Sequence, residues 1–310
     1  MEAVKLYNDK KPLVLGEGPI YRYEDHTLHF NDFGSKQVHI LPLDAKTGDV
    51  DRTRPHIVHD TKDHVSVQFF RKNKPGYICL YYQGVGVLDE ATGDLQPLKV
   101  LNESRERFRM NDGMVDSKGR FWGGEFDAEA AKLGLGYQDA FAKEGREPGG
   151  RLWRLDLDGS THAVLPGGLA ISNGIGFSPD NTKMYVNDSL AQRTYVFDYD
   201  NESGNLSNQR VLRDFRGTKV EPDGLIMDVN GNIWTALYNG YAVECLDGKT
   251  GETLVHVDVP AQAVTCPTWG GENHDTLYVT TAAGPNPEFD GQLYRIKTNV
   301  QGQPDNLSAI

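Results

Sequence analysis

Cysteine is scarce in this chain. Its 310 residues hold three, Cys79, Cys245 and Cys266. They form neither a CxxC spacing nor an even-numbered framework, so a disulfide scaffold is excluded and all three read as buried thiols in a reducing compartment. Apolar runs long enough to span a bilayer, about 18 residues, are absent. The first residues, MEAVKLYNDKK, lack the apolar centre of a secretory leader, so a cytoplasmic protein away from the membrane is expected. Positive charge is also short: 32 Lys and Arg against 44 Asp and Glu give a formal net charge of −12. A surface that tracks nucleic-acid phosphates needs clustered cations, so small-molecule partners are expected and nucleic acid is not. Strong helical periodicity is missing outside one segment, residues 127 to 150.

What is present in its place is repetition. Short alternating strands that end in Asp or Lys and a turn recur as QVHILPLDAKTG, GVGVLDEATG, RLWRLDLDG, RTYVFDYDNESG, AVECLDGKTG and QLYRIKTNVQG. Their marker positions Asp44, Asp89, Asp156, Asp198, Asp247 and Lys297 lie 45, 67, 42, 49 and 50 residues apart. A second series interleaves with the first: Glu17-Gly18-Pro19, the stretch from His64, Asn111-Asp112-Gly113, Asn173-Gly174, Asp223-Gly224, and CPTWGG around Thr268. After each marker comes a strand, a polar turn and another strand, and Asp116, Gly119 and Trp122 repeat the spacing of Asp228, Gly231 and Trp234. Units of roughly 40 to 50 residues with about four short strands have the size of propeller blades. A β-sandwich has no reason to keep two markers in register along the chain. The prediction is one all-β domain over residues 1–310, a six-bladed β-propeller, with a short helical or loop insertion in the third blade at about 127–150. A lid over the channel and a plain surface excursion are both open for that insertion, whose Gly134–Tyr137 portion suits a mobile tip.

In a propeller the innermost strands run along the central channel, so residues at their starts converge although they are distant in sequence. Glu17, His64, Asn111, Asn173, Asp223 and the Thr268 region are those residues. Two carboxylates and two amides brought together without a matching Lys require repulsion, a raised pKa or a cation between them. Oxygen donors without Cys favour calcium, magnesium or manganese and also admit zinc or ferrous iron. An Asn-Gly or Asp-Gly pair taken singly is an ordinary turn. Here, however, SNGIGFSPD carries a separate turn at Ser178-Pro179-Asp180, so Asn173-Gly174 needs another explanation.

The stretches LGEGPIY, RFRMNDGMVDSKGRFWGG, ISNGIGFSPD, EPDGLIMDVNGNIWTALYNG and CPTWGG resemble the regucalcin (senescence marker protein) and gluconolactonase family, which includes luciferin-regenerating enzyme. The resemblance runs in order from about residue 13 to 297 and implies the six-bladed propeller. It also implies one divalent metal ion on Glu17, Asn173 and Asp223, with Arg109 and Asn111 of the R-x-N-D-G motif binding lactone hydroxyls. A further substrate-binding acid falls near Glu129, where the insertion begins, with Glu125 and Asp127 close by. His64 has no metal role in that pattern and reads as a channel-lining or core histidine.

The implied reaction is hydrolysis of a sugar (aldono) lactone to its aldonic acid. A metal acts as Lewis acid on the carbonyl, and Asp223 or metal-bound hydroxide activates water. Two alternatives are an organophosphate or aryl-ester hydrolase on the same scaffold and a non-catalytic calcium-binding regulatory propeller. A luciferin-type substrate would instead require Tyr137, Tyr238 and Trp269 to line the pocket.

Overall fold

The computed structural model describes residues 1–6 and 11–310; residues 7 to 10 of the N-terminal stretch read above lie outside them. The described strands form six four-stranded antiparallel sheets, and the chain is a six-bladed β-propeller. The innermost strands are Gly16–Arg22, Val65–Phe70, Phe108–Val115, Ser172–Phe177, Glu221–Met227 and Val264–Gly270, for blades one to six. Blade six is completed by the N-terminal strand Ala3–Leu6, which pairs antiparallel with Leu293–Lys297. No marker announces that strand in the sequence. It is four residues long, and Leu6 is its one buried residue.

Both marker series have a physical basis. At the outer turns, Asp44, Asp89 and Asp247 use Oδ1 to accept backbone N–H bonds from Lys46 and Thr47, Ala91 and Thr92, and Lys249 and Thr250. In blade four this part is played by Asp200, which accepts from Glu202 and Ser203; Asp198 lies within the strand and pairs with Lys183. The Asp-Gly-Trp spacing is a turn held by a side chain. Asp116 and Asp228 each accept two turn N–H groups on Oδ1 and the indole N–H of Trp122 or Trp234 on Oδ2.

At the inner series, every innermost strand shifts register against its neighbour: between Glu17 and Ile20, Val65 and Val67, Met110 and Gly113, Ser172 and Ile175, Pro222 and Leu225, and Val264 and Pro267. These are β-bulges, which re-aim side chains. The sixth-blade equivalent is therefore Thr265-Cys266, three residues before the expected Thr268. The glycines are explained by close approach rather than by turns. A Cβ on Gly174 would lie 2.3 Å from the backbone N of Leu225. Gly18 has φ +53°, and a Cβ there would lie 2.8 Å from the carbonyl oxygen of Ser66. Adjacent inner strands can converge on the axis because these positions carry no side chain.

The insertion contains α1 (Ala128–Leu133), a 3₁₀ turn (Gly134–Gly136) and α2 (Tyr137–Lys143). Tyr137 is an anchor and not a tip: it packs with Phe141, Ala130, Ala170 and Leu190, and Ile171 lies against this cluster. At the opposite end of the channel the C-terminal tail crosses the propeller. Gln303 bonds to Met227, Asn306 to Val115, Ser308 to Phe70 and Ala309 to Gly119. Among the described residues no helix is long and apolar enough to cross a membrane.

Candidate functional site

A cavity of about 240 Å³ opens where the inner strands begin, and Glu17, Arg109, Asn111, Asn173 and Asp223 all line it. The bulges therefore bring together five residues spread over more than 200 positions of sequence. Neighbouring blades brace them. Asn173 donates from Nδ2 to Ser189 Oγ at 3.0 Å, which turns its carbonyl oxygen away from that bond. Ser189 Oγ in turn donates to the carbonyl of Pro222 at 2.7 Å, and Asn187 Nδ2 donates to the carbonyl of Asp223 at 2.6 Å. The backbone carrying Asp223 is thus fixed from blade four.

The electrostatics are those of crowded acids. Burial raises the Asp223 carboxyl well above its ordinary range, followed by the charges of Glu17, Asp112 and Glu221. Glu17 is raised in the same way, by burial first and Asp112 second, while Arg109 partly offsets this. Asp112, the residue after Asn111 on the same inner strand, is pushed up to about 7 by burial. Asp223 Oδ1 is buried without a hydrogen-bond partner. An orphaned acceptor facing other acceptors is the donor set that a hard cation satisfies. Among the described residues no group of three or more His, Cys, Asp and Glu is placed to hold a metal. A cation here would take the amide oxygen of Asn173 as its third protein ligand.

Arg109 forms the other chemical feature of the cavity. Its guanidinium lies 4.0 Å from the Phe126 ring centroid and 4.9 Å from that of Phe33, and Nη1 donates to Asn111 Oδ1 at 2.7 Å and to the Met110 carbonyl at 3.2 Å. Burial lowers its pKa to about 10, so it stays charged at neutral pH. Both bonds leave from Nη1, and Asn111 Nδ2 is anchored on the Ser172 carbonyl at 3.0 Å. Asn111 thereby aims Arg109 as well as lining the cavity.

The SMP-30/gluconolactonase/LRE-like region model matches residues 15–283. The chain belongs to that family. It is 29% identical over 308 residues to the pentonolactonase XacC of Haloferax volcanii, covering 96% of this chain and 95% of the relative. It is 30% identical over 274 residues to human regucalcin, covering 88% and 85% respectively. Among solved structures, a luciferin-regenerating enzyme superposes with TM-score 0.84 at 26% identity, covering 99% of both chains.

In this member of the SMP-30/gluconolactonase/LRE-like family, Glu129 does not reach the cavity. Asp127 caps α1, accepting the Glu129 N–H at 3.0 Å, and the helix carries Glu129 outward to ion pairs with Arg107 and Arg146. Neither alternative acid is free to replace it. Glu125 is fully buried, accepting from Arg151 and from the Trp153 indole; Asp127 is held by Gly149 and Arg107. His64 Nδ1 donates to the Phe33 carbonyl at 2.7 Å, so it supports the ring on which Arg109 lies. Tyr238 lines the cavity, whereas Trp269 and Tyr137 are buried in packing clusters. Sequence reasoning missed Asp112 and Glu221. Asp112 follows Asn111 inside the bulge, and Glu221 lies two residues before Asp223 on the paired side of the next one.

Proposed function

We propose that this protein is a divalent-metal-assisted hydrolase that opens a sugar (aldono) lactone to the aldonic acid. The observation that carries the reading is the pairing, in one cavity, of an acceptor cluster with an unpartnered buried Asp223 Oδ1 and an aromatic-clamped Arg109. Lactonase names among the relatives support it.

Glu17, Asn173 and Asp223 would hold the ion, whose positive charge would polarise the lactone carbonyl. Calcium, zinc, magnesium, manganese and ferrous iron all accept such oxygen donors. Water adds to the carbonyl carbon, the ring C–O bond breaks, and the ring oxygen takes a proton to become a hydroxyl of the open acid. The Asp223 carboxylate takes the proton of the attacking water. Arg109 donates from Nη2 or Nε toward the lactone oxygens, where negative charge grows. Asn111 keeps Arg109 in that pose and offers its second amide N–H to a hydroxyl. Phe126 and Ile171 supply the apolar wall that shields the charged pair from bulk water.

Proton release in weak buffer tests the reading on a panel of five- and six-membered aldonolactones, with chelator-stripped protein before and after adding back single divalent metals. Metal-restored turnover that differs among sugar epimers is expected. Hydrolysis of aryl esters or organophosphates at higher efficiency than any aldonolactone would replace the substrate class.

A further inference from the structure

One acidic group in the cavity has no part in the steps above. Glu221 begins the inner strand of blade five, two residues before Asp223, and lines the cavity with Tyr238, its cross-strand partner. Its Oε1 accepts from Asn239 Nδ2 at 3.1 Å. Asn239, whose φ of 60° lies in the left-handed region that asparagine tolerates, accepts in turn from Gln262 Nε2 at 3.2 Å. Gln262 is tied to Asp290 through its backbone N–H at 2.8 Å. This relay, from blade six to the rim of blade five, fixes the carboxylate while Oε2 makes no bond among the described residues. A half-buried acid held by one oxygen with the other free is a presented acceptor.

We infer that Glu221 is a specificity residue: its carboxylate accepts hydrogen bonds from hydroxyls of a neutral polyol lactone and turns away lactones that carry a negative charge. The inference rests on the lactonase reading of the cavity. An ionised carboxylate is an acceptor without donors, and a substrate hydroxyl is the natural partner for it. A substrate lacking that hydroxyl leaves the carboxylate desolvated and unpaired, which is how polar pockets reject deoxygenated analogues.

Among the described residues lining the cavity, Glu17, Glu221 and Asp223 are acids and Arg109 is the one Lys or Arg. Counted over the lining, a divalent ion would offset two of the three acids and the single charge of Arg109 the third. No positive charge is left for a carboxylate or phosphate on the substrate, and like charge at close range is costly. Arg109 on blade three supplies donors and Glu221 on blade five supplies an acceptor. A ring whose hydroxyls must satisfy both is read at two places.

The test compares metal-loaded wild type with Glu221→Gln on three lactones: a fully hydroxylated six-carbon aldonolactone, δ-valerolactone, and an aldonolactone bearing a terminal carboxylate. The variant keeps the shape of the side chain and replaces the acceptor charge with an amide. Its KM for the hydroxylated lactone is expected to rise about tenfold or more. The change on δ-valerolactone stays below about threefold, and discrimination against the carboxylate-bearing lactone narrows by about tenfold. A merely structural role would lower all three together, and that result, or an unchanged KM on the hydroxylated lactone, overturns the inference. If wild type opens none of the lactones, the lactonase reading fails, and Glu221 is then judged by calorimetric binding of an unreactive cyclic polyol, inositol. Tenfold weaker binding in the variant supports it; equal binding refutes it.

Discussion

Asp223 is held in two opposing ways. Its backbone is pinned by Asn187 and, through Pro222, by Ser189, while its carboxyl is buried beside Glu17 and Asp112 with Oδ1 unpartnered. Without a cation this arrangement opposes folding; under the proposed function a bound cation would offset that cost. Asp223→Ala is therefore expected to lower metal-dependent lactone opening more than about a hundredfold, since even outer partners of metal ligands cost 10- to 100-fold. The metal-free thermal midpoint should stay the same or rise. Kinetics and thermal melts of the same samples check both, and retained activity contradicts the ligand assignment. Asp112 gives a pH prediction. Its carboxyl titrates near 3.9 in the unfolded chain and at about 7 in the folded one. Between those values the folded protein keeps a proton that the unfolded chain has lost, so the stability contribution present at the acid end is lost as pH rises. For metal-free protein, the midpoint of Asp112→Asn minus that of wild type should be near zero at about pH 4 and grow up to about pH 7. A difference that is flat with pH refutes the buried-acid account. At this scale the convergence of Glu17, Asn173 and Asp223 on one cavity was legible because they recur at strand starts. Asp112 and Glu221 were not: Asp112 lies inside a bulge, and a bulge starting after Pro222 breaks the alternation that would relate Glu221 to Asp223.

The inner-strand bulge with its glycine is the element on which the site depends. Gly174→Ala would place a methyl 2.3 Å from the Leu225 backbone N, where no flexible side chain can yield. A loss of about 1–3 kcal/mol is expected, measurable by denaturant unfolding, with KM rising as Asn173 shifts. A stability change under a few tenths of a kcal/mol would show that the close approach is unimportant. The insertion shows the converse. Its departure from strand pattern was legible, and so were its limits, but its packing was not: Tyr137 looks like part of a glycine-rich tip until Ala170 and Leu190 are seen beneath it. Because α1 carries Glu129 out to Arg107 and Arg146, Glu129→Ala is expected to leave kcat/KM within about twofold, as exposed ion pairs contribute little. A tenfold fall would return that residue to the site.

For the whole molecule, blade count and order were legible from two marker series because the markers have local structural tasks: Asp Oδ1 turn bonds outside in four of the blades and bulges inside in all six. Ring closure was not. Strand Ala3–Leu6 joins the last blade across the full length of the chain, and nothing within four residues encodes a partner so distant. Removing residues 1–6 should destabilise the propeller by more than about 2 kcal/mol, from the burial of Leu6 alone; an unchanged denaturation midpoint would mean that closure does not depend on this strand. The channel joins these scales, since four of the six bulged strands present one acceptor cluster and one clamped arginine to the same cavity. The most direct test is to titrate a divalent metal into chelator-stripped protein while following lactone opening. Turnover is predicted to rise from near zero and break at one equivalent in wild type, with no rise in Asp223→Ala. Full turnover in the stripped wild-type protein, unaffected by added metal, would contradict the account.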